Sequence, residues 1–389
     1  MYVVFWLLLV ELSCGIVWGI HRGLYSLFTK EVLLVTSFTQ IGLVVSVFGL
    51  TKAVTNLSLG ALSDKIGRKP TIILGMIMSG LGGLMIALAS VYDDMLIGTA
   101  LFGLGQGSSF VGIMVSMNEV VASARRGLSM GLFELAAYGG SSIGSALGGY
   151  VAFTHGLRLP FYGIMILSIA GIVVAVVTIP ETKVTKKTIE KSSTTAVRGK
   201  YSATLRHLIP LYIAGFSSKI MDSPVWSFLP LYLSGFKMNI TEITTVTSAF
   251  TFSWAFSQPL TGFVSDKVGR KKVIIIGLTG TAITILLYLF TSNFMLLSFF
   301  AFLMGLGAAL FYTPLIAMVG DIAPLGLEGT LIGSYRFFRD MGYSAGPVLL
   351  GMVADALGLQ YAFYVPAIIL LATAVIVYAG SKETRILSH

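Results

Sequence analysis

Charge is what this sequence has least of. Asp, Glu, Lys and Arg make up 11% of its 389 residues, against roughly a quarter in a soluble domain. So few charges cannot cover a water-facing surface, which sets aside soluble enzymes, disordered tails and nucleic-acid binders together. Cysteine is nearly absent: Cys14 stands alone, which excludes an internal disulfide and a thiolate metal cage. The four histidines are scattered and make no metal site. The sequence shows no phosphate-binding P-loop and no nucleophile triad, so an enzyme and an ATP-driven pump are the weakest readings, and no cofactor is expected.

What fills the chain instead is apolar length. Hydrophobic residues reach 55% and mean hydropathy is +0.88. A bilayer core of about 30 Å takes roughly 20 apolar residues in a helix. The long continuous runs, such as 71–90 and 360–380, fit helices, whereas barrel strands alternate in character over about ten residues. Twelve spans are expected: 3–28, 37–60, 71–91, 95–117, 127–153, 160–179, 207–233, 241–263, 272–290, 294–319, 329–355 and 360–380. The first lacks a basic leader and a cleavage site, so it reads as a retained helix. Of the 26 Lys and Arg residues, 18 fall in the even-numbered loops and the C-terminal tail and 3 in the odd-numbered loops. The positive-inside rule then puts both termini in the cytoplasm of a multi-pass cell-membrane protein.

The chain is one unit written twice. Residues 60–69 read GALSDKIGRK and residues 262–271 read GFVSDKVGRK, an offset of 202. The same gap-free register maps Glu119 onto Asp321, Gly140 onto Gly342, Gly144 onto Gly346, and Glu181-Thr182 onto Glu383-Thr384. Two six-helix bundles, 1–180 and 207–389, are therefore expected, joined by a basic cytoplasmic linker over 181–206. Parallel repeats of this kind are what transporters rock around a central site.

The repeated loop motif resembles that of the major facilitator superfamily, and the resemblance runs over essentially the whole chain. It implies an all-α fold of twelve transmembrane helices in two bundles, working by alternating access. Within the motif, Gly60 and Gly262 remove bulk where helices approach, and Gly67 and Gly269 suit a turn with positive φ. The resemblance implies that Asp64, with Arg68, latches the cytoplasmic side by capping the eleventh span. Asp266 and Arg270 are the second copy. Gly131, Gly140, Gly144, Gly148 and Gly149 of the fifth span resemble the antiporter motif of the superfamily, with Ser145 where proline is expected. Gly342, Gly346 and Pro347 of the eleventh span come closer to it. Thr99 stands where many proton-coupled members have arginine.

Ionisable groups at membrane depth are costly, so each is a functional candidate. Lys52 lies 12 residues before Asp64, about 18 Å along a helix, and shares a polar stripe with Asn56. The first span carries Glu11, Trp18 and Arg22 on one line, with Arg22 towards the far end. The seventh carries Lys219, Asp222 and Trp226, where Lys219 and Asp222 are spaced to neutralise each other. The fifth supplies Glu134 and Tyr138, the eighth Gln258, and the eleventh Arg336, Arg339 and Asp340, with Arg336 and Asp340 spaced as a mutual pair. Glu134 and Arg336 occupy equivalent positions with opposite sign. With Arg22 left aside, four acids balance four cations, which points to an ion network that re-pairs between states; the resemblance implies that the second and eleventh spans meet across the seam, which makes Lys52–Asp340 the expected gate pair. Burial favours a neutral carboxyl unless a cation opposes it, so Glu11 and Glu134 become candidates for carrying a proton. The reading favoured is export of a small organic molecule in exchange for protons, by a monomer in the lipid bilayer. Symport or facilitated uptake of a sugar or organic acid is the runner-up, and a non-transporting receptor or scaffold the third.

Overall fold

The computed structural model describes residues 2–121, 126–182, 197–323 and 328–384, without side chains at 57, 59–62, 64, 126–128, 197–206 and 328–330. Thirteen α-helices account for the described chain: α1 (Tyr2–Glu31), α2 (Phe38–Ile66), α3 (Arg68–Leu88), α4 (Tyr92–Val120), α5 (Arg126–His155), α6 (Leu159–Thr178), α7 (Val197–Ser227), α8 (Leu229–Ser234), α9 (Ile240–Val268), α10 (Arg270–Tyr288), α11 (Phe294–Ile322), α12 (Glu328–Leu357) and α13 (Tyr361–Gly380). Helix is what hydrocarbon demands, because it pairs every backbone N–H and C=O within one segment. Large apolar side chains such as Leu147, Val173, Leu260 and Val375 face outward, as lipid contact requires.

The twelve expected spans become thirteen helices because the seventh is broken. Pro230 lacks an amide proton and its ring opposes the carbonyl four residues back, so α7 ends at Ser227 and α8 restarts at Leu229. The motif loops are shorter than expected. Helix α2 runs through Ile66 and α3 begins at Arg68, leaving Gly67 alone as the joint at φ 105°. Gly269 joins α9 to α10 at φ 106°. A side chain is strained at such angles, which is why glycine stands at both. Of the expected linker, 183–196 lies outside the described residues.

Packing repeats with the sequence. In the first half α1 packs on α5 and α6, α3 on α4 and α6, and α2 on α4; in the second, α7 packs on α12 and α13, α10 on α11 and α13, and α9 on α11. The halves meet along α2–α12 and α5–α9, two seams that the 202-residue register exchanges. A two-fold axis along the membrane normal produces this relation. Small residues set the closest contacts. A Cβ at Gly144 would be driven into the backbone carbonyl of Ile16, so the fifth-span glycines Gly140, Gly144 and Gly148 serve α1–α5 packing within one half, and Gly342 and Gly346 serve α7–α12. Pro347 sits in the α2–α12 seam, its carbonyl against Gly42. Eight helices are long and apolar enough to cross a membrane; among the described residues α5, α7, α9 and α12 fall short of that measure. α5, α7 and α12 carry Glu134, Lys219, Asp222, Arg336, Arg339 and Asp340, while Glu11, Arg22 and Lys52 come from α1 and α2.

Candidate functional site

The interior charges form two layers between the halves. The layer farthest from the motif loops joins α1 to α7 and α12. Arg22 is 3% exposed and grips the carboxylate of Asp222, with one guanidinium contact at 3.2 Å. Tyr343 donates its hydroxyl to the same carboxylate, and Lys219 stands 3.9 Å from it. Lys219 also donates to the hydroxyls of Tyr138 and Tyr343 at 3.2 Å each. Charges taken this far from water persist only when paired and hydrogen-bonded. Arg22, towards the far end of its span as expected, therefore joins the buried network, and the interior holds five cations against four acids. The Lys219–Asp222 contact exists but is secondary to Arg22.

Aromatic rings close the space around this layer. Trp226 meets Trp18, Phe48 and Tyr343 edge-on, with ring centres 5.8, 4.8 and 5.3 Å apart. The guanidinium of Arg22 lies 5.3 Å from the centre of the Trp226 ring, a cation–π distance. His21 stacks between Tyr25 and Phe102 and reaches Thr99 at 3.4 Å. Thr99, which stands where many proton-coupled members have arginine, thus serves the ring cluster around His21.

The layer on the motif side is built by α12 with α2 and α5. Asp340 accepts from Arg339 at 2.8 Å and from the Asn56 amide at 3.1 Å, while Arg339 donates to Tyr312 at 2.7 Å. Arg336 turns away from Asp340 and faces Glu134 across the seam at 3.8 Å. The expected pairs Lys52–Asp340 and Arg336–Asp340 are therefore not made in this structure. Arg339, next in sequence, takes Asp340 because its guanidinium reaches both that carboxylate and Tyr312. Glu134 and Arg336 are register-equivalent, and equivalent positions touch each other only near the two-fold axis.

Between these layers lies a cavity of about 30 Å³, space for water but not for an organic solute. Glu11, Trp18, Lys52, Gln106, Phe110, Glu134 and Tyr138 line it from the first half, and Lys219, Tyr312, Arg339, Asp340 and Tyr343 from the second. Two ions in its wall stand apart. Glu11 is 3% exposed, and its Oε2 has no hydrogen-bond partner among the described residues. Lys52 has no ion pair among them; its ammonium sits over Trp18, Phe48 and Phe110 at 5.2, 5.6 and 5.2 Å. Gln258 is buried with its amide nitrogen unpartnered among the described residues and does not line the cavity.

At the membrane edge the motif residues form twin anchors. Arg68 pairs with Glu119 at 2.8 Å, and the amides of Arg68 and Lys69 donate to Glu181 at 2.8 and 3.2 Å. In the second half Arg270 pairs with Asp321, and the amides of Arg270 and Lys271 donate to Glu383 at 2.9 and 3.0 Å. Asp266 adds a contact to Arg270 at 3.3 Å. The surroundings of Gly60 and the side chain of Asp64, and with it the latch expected there, lie outside what is described. Gly262 sits loosely, with nothing closer to its Cβ position than Thr313 at 3.6 Å.

Comparison with known proteins agrees with this architecture. The family model described as Major Facilitator Superfamily matches residues 7–210 and, a second time, 211–386. The chain belongs to that superfamily. As a member of the Major Facilitator Superfamily it is a multi-pass membrane transporter and not an enzyme. It is 25% identical over 346 residues to an uncharacterized MFS-type transporter of Methanocaldococcus jannaschii, covering 87% of this chain and 88% of the other. It is 23% identical over 335 residues to multidrug resistance protein 2 of Bacillus subtilis, covering 84% and 82%. A crystal structure of a D-xylose-proton symporter shares the fold with TM-score 0.82 at 15% identity, over 99% of both chains.

Sequence reading missed Tyr312 and Tyr343, whose hydroxyls complete the network. Tyr343 lies three and seven residues beyond Asp340 and Arg336, on the same helix face, so the α12 stripe could have been extended to it. Nothing in the pattern marked Asp355.

Proposed function

We propose that this transporter exports a small organic molecule in exchange for protons, each monomer rocking its two bundles, 1–180 and 207–389, about the central cavity. Glu11 carries the reading. It is the buried acid of the cavity wall without an arginine partner, whereas Asp222 and Asp340 are each held by one. A carboxyl in that setting can bind a proton from one side and release it when solute or Lys52 approaches. The Glu134–Arg336 contact, long at 3.8 Å, is the one to yield when the bundles part on the motif side. Export in place of uptake is supported by the name of the Bacillus subtilis relative and by the fifth-span glycine pattern.

The test uses protein reconstituted in vesicles with an imposed pH gradient and a fluorescent lipophilic cation such as ethidium. Flux is expected against the proton gradient, without ATP. Glu11→Gln is expected to keep solute exchange at equilibrium and lose the response to the gradient. Flux in the same direction as the proton would make it a symporter, and an unchanged gradient response in Glu11→Gln would remove the coupling role.

A further inference from the structure

The first turn of a helix leaves amide groups that need acceptors, and the register-equivalent helices α2 and α9 meet that need differently. Helix α9 is capped from within. Asn239 accepts from the amide of Glu242, and Glu242 accepts from the amide of Asn239, both at 2.9 Å, a reciprocal capping box. In α2 the equivalent residues are Ser37 and Gln40, and only half of the box is present, the Gln40 amide donating to Ser37 at 3.3 Å. The missing carboxylate comes from the other half of the molecule. Asp355, near the end of α12, accepts from the amides of Phe38 and Thr39 at 2.7 and 2.9 Å and from the hydroxyls of Ser37 and Thr39 at 2.8 and 2.6 Å.

The approach is prepared one turn earlier. A Cβ at Gly351 would stand 2.6 Å from the carbonyl oxygen of Phe38, so only glycine lets α12 come close enough for Asp355 to reach those amides. The register places Phe153 opposite Asp355, so the second seam, α5–α9, has no such device. Parting the halves on this face breaks nothing in the cap of α9 but strips α2 of its carboxylate.

We propose that Asp355 is a positioning residue for transport: an interbundle latch that caps α2 only while the side away from the motif loops is closed, and so sets how long that side stays shut. The proposal rests on the reading that the bundles part on each face in turn. Its test exploits the difference between a latch and a cap. Thr247→Cys places a thiol in the α5–α9 seam, where Thr247 meets Ser145 at 3.2 Å, reachable by a charged thiol reagent in nanodiscs when that face opens. Asp355→Ala is expected to raise its labelling rate roughly fivefold, the population shift that loss of one cap of typical strength produces. Adding Gln40→Glu gives α2 the local box that α9 has, restoring the melting temperature but leaving labelling fast. Labelling that is unchanged by Asp355→Ala overturns the latch. Labelling that Gln40→Glu returns to the parent rate shows Asp355 to be a helix cap and nothing more. Absence of labelling in every variant, the parent included, overturns the rocking motion and the latch with it.

Discussion

At the membrane edge Arg68, Glu119 and Glu181 form the same network as Arg270, Asp321 and Glu383, down to which amides each glutamate accepts. Deeper in, the same register sets Glu134 against Arg336, Tyr138 against Asp340 and Lys52 against Trp254. The anchors each act inside one half, so both halves can keep them. The central positions share one space across an axis, where equal residues would set like charge against like. Glu134 facing a second glutamate would repel it, whereas Glu134 facing Arg336 does not. Duplication keeps the frame and must diverge where the copies meet.

The sharpest break of this contrast lies at the centre. Arg22→Met leaves Asp222 without its main partner and is expected to cost about 3–5 kcal/mol, the usual penalty for halving a buried ion pair. A melting curve in detergent measures it; a loss below 1 kcal/mol would mean that Lys219 alone neutralises Asp222. At the edge the two halves should respond alike. Gly67→Ala and Gly269→Ala each force a side chain to φ near 105° with extended ψ, at a cost of roughly 1–3 kcal/mol. Unequal losses would show that the two joints are not the same structure. The smallest effect on stability is expected from Lys52→Met, which removes an unpaired charge: the melting temperature holds or rises, while solute flux falls roughly tenfold for want of one charge-assisted contact. Unchanged flux would take Lys52 out of the transport path.

Much of the frame could be read before any coordinates. Apolar run length gave the spans, and the motif offset gave the pseudo-symmetry, because both are one-dimensional signals that folding preserves. Helix ends were read short: α2 carries Gly60 within it and continues to Ile66, and only Gly67, at positive φ, interrupts it. In the site, helical spacing found Glu11, Lys52, Glu134, Lys219, Asp222, Arg339 and Asp340, all of which line the cavity or touch it. Pairing was less legible. Lys52–Asp340 was favoured because the family resemblance sets the second and eleventh spans side by side, but Asp340 turns to Arg339 and Asn56. Arg22 was left out of the charge balance, since the partner that draws it into the network lies 200 residues away on a helix of the other half. Which ions meet depends on rotation and tilt between helices, and a sequence stripe carries neither. Asp355 was invisible for the same reason: its value lies in which foreign helix end it faces.

The ring cluster over the cavity has an electrical consequence. A membrane at 100 mV holds about 2.3 kcal/mol per elementary charge across its thickness, and a continuous thread of water through the molecule would let that energy drain as a proton current. Trp226, Phe48, Trp18 and the rings stacked on His21 fill the space around the far-side charges with apolar surface. They act as a dielectric plug, letting charged groups sit in the middle of the bilayer without turning the protein into a leak.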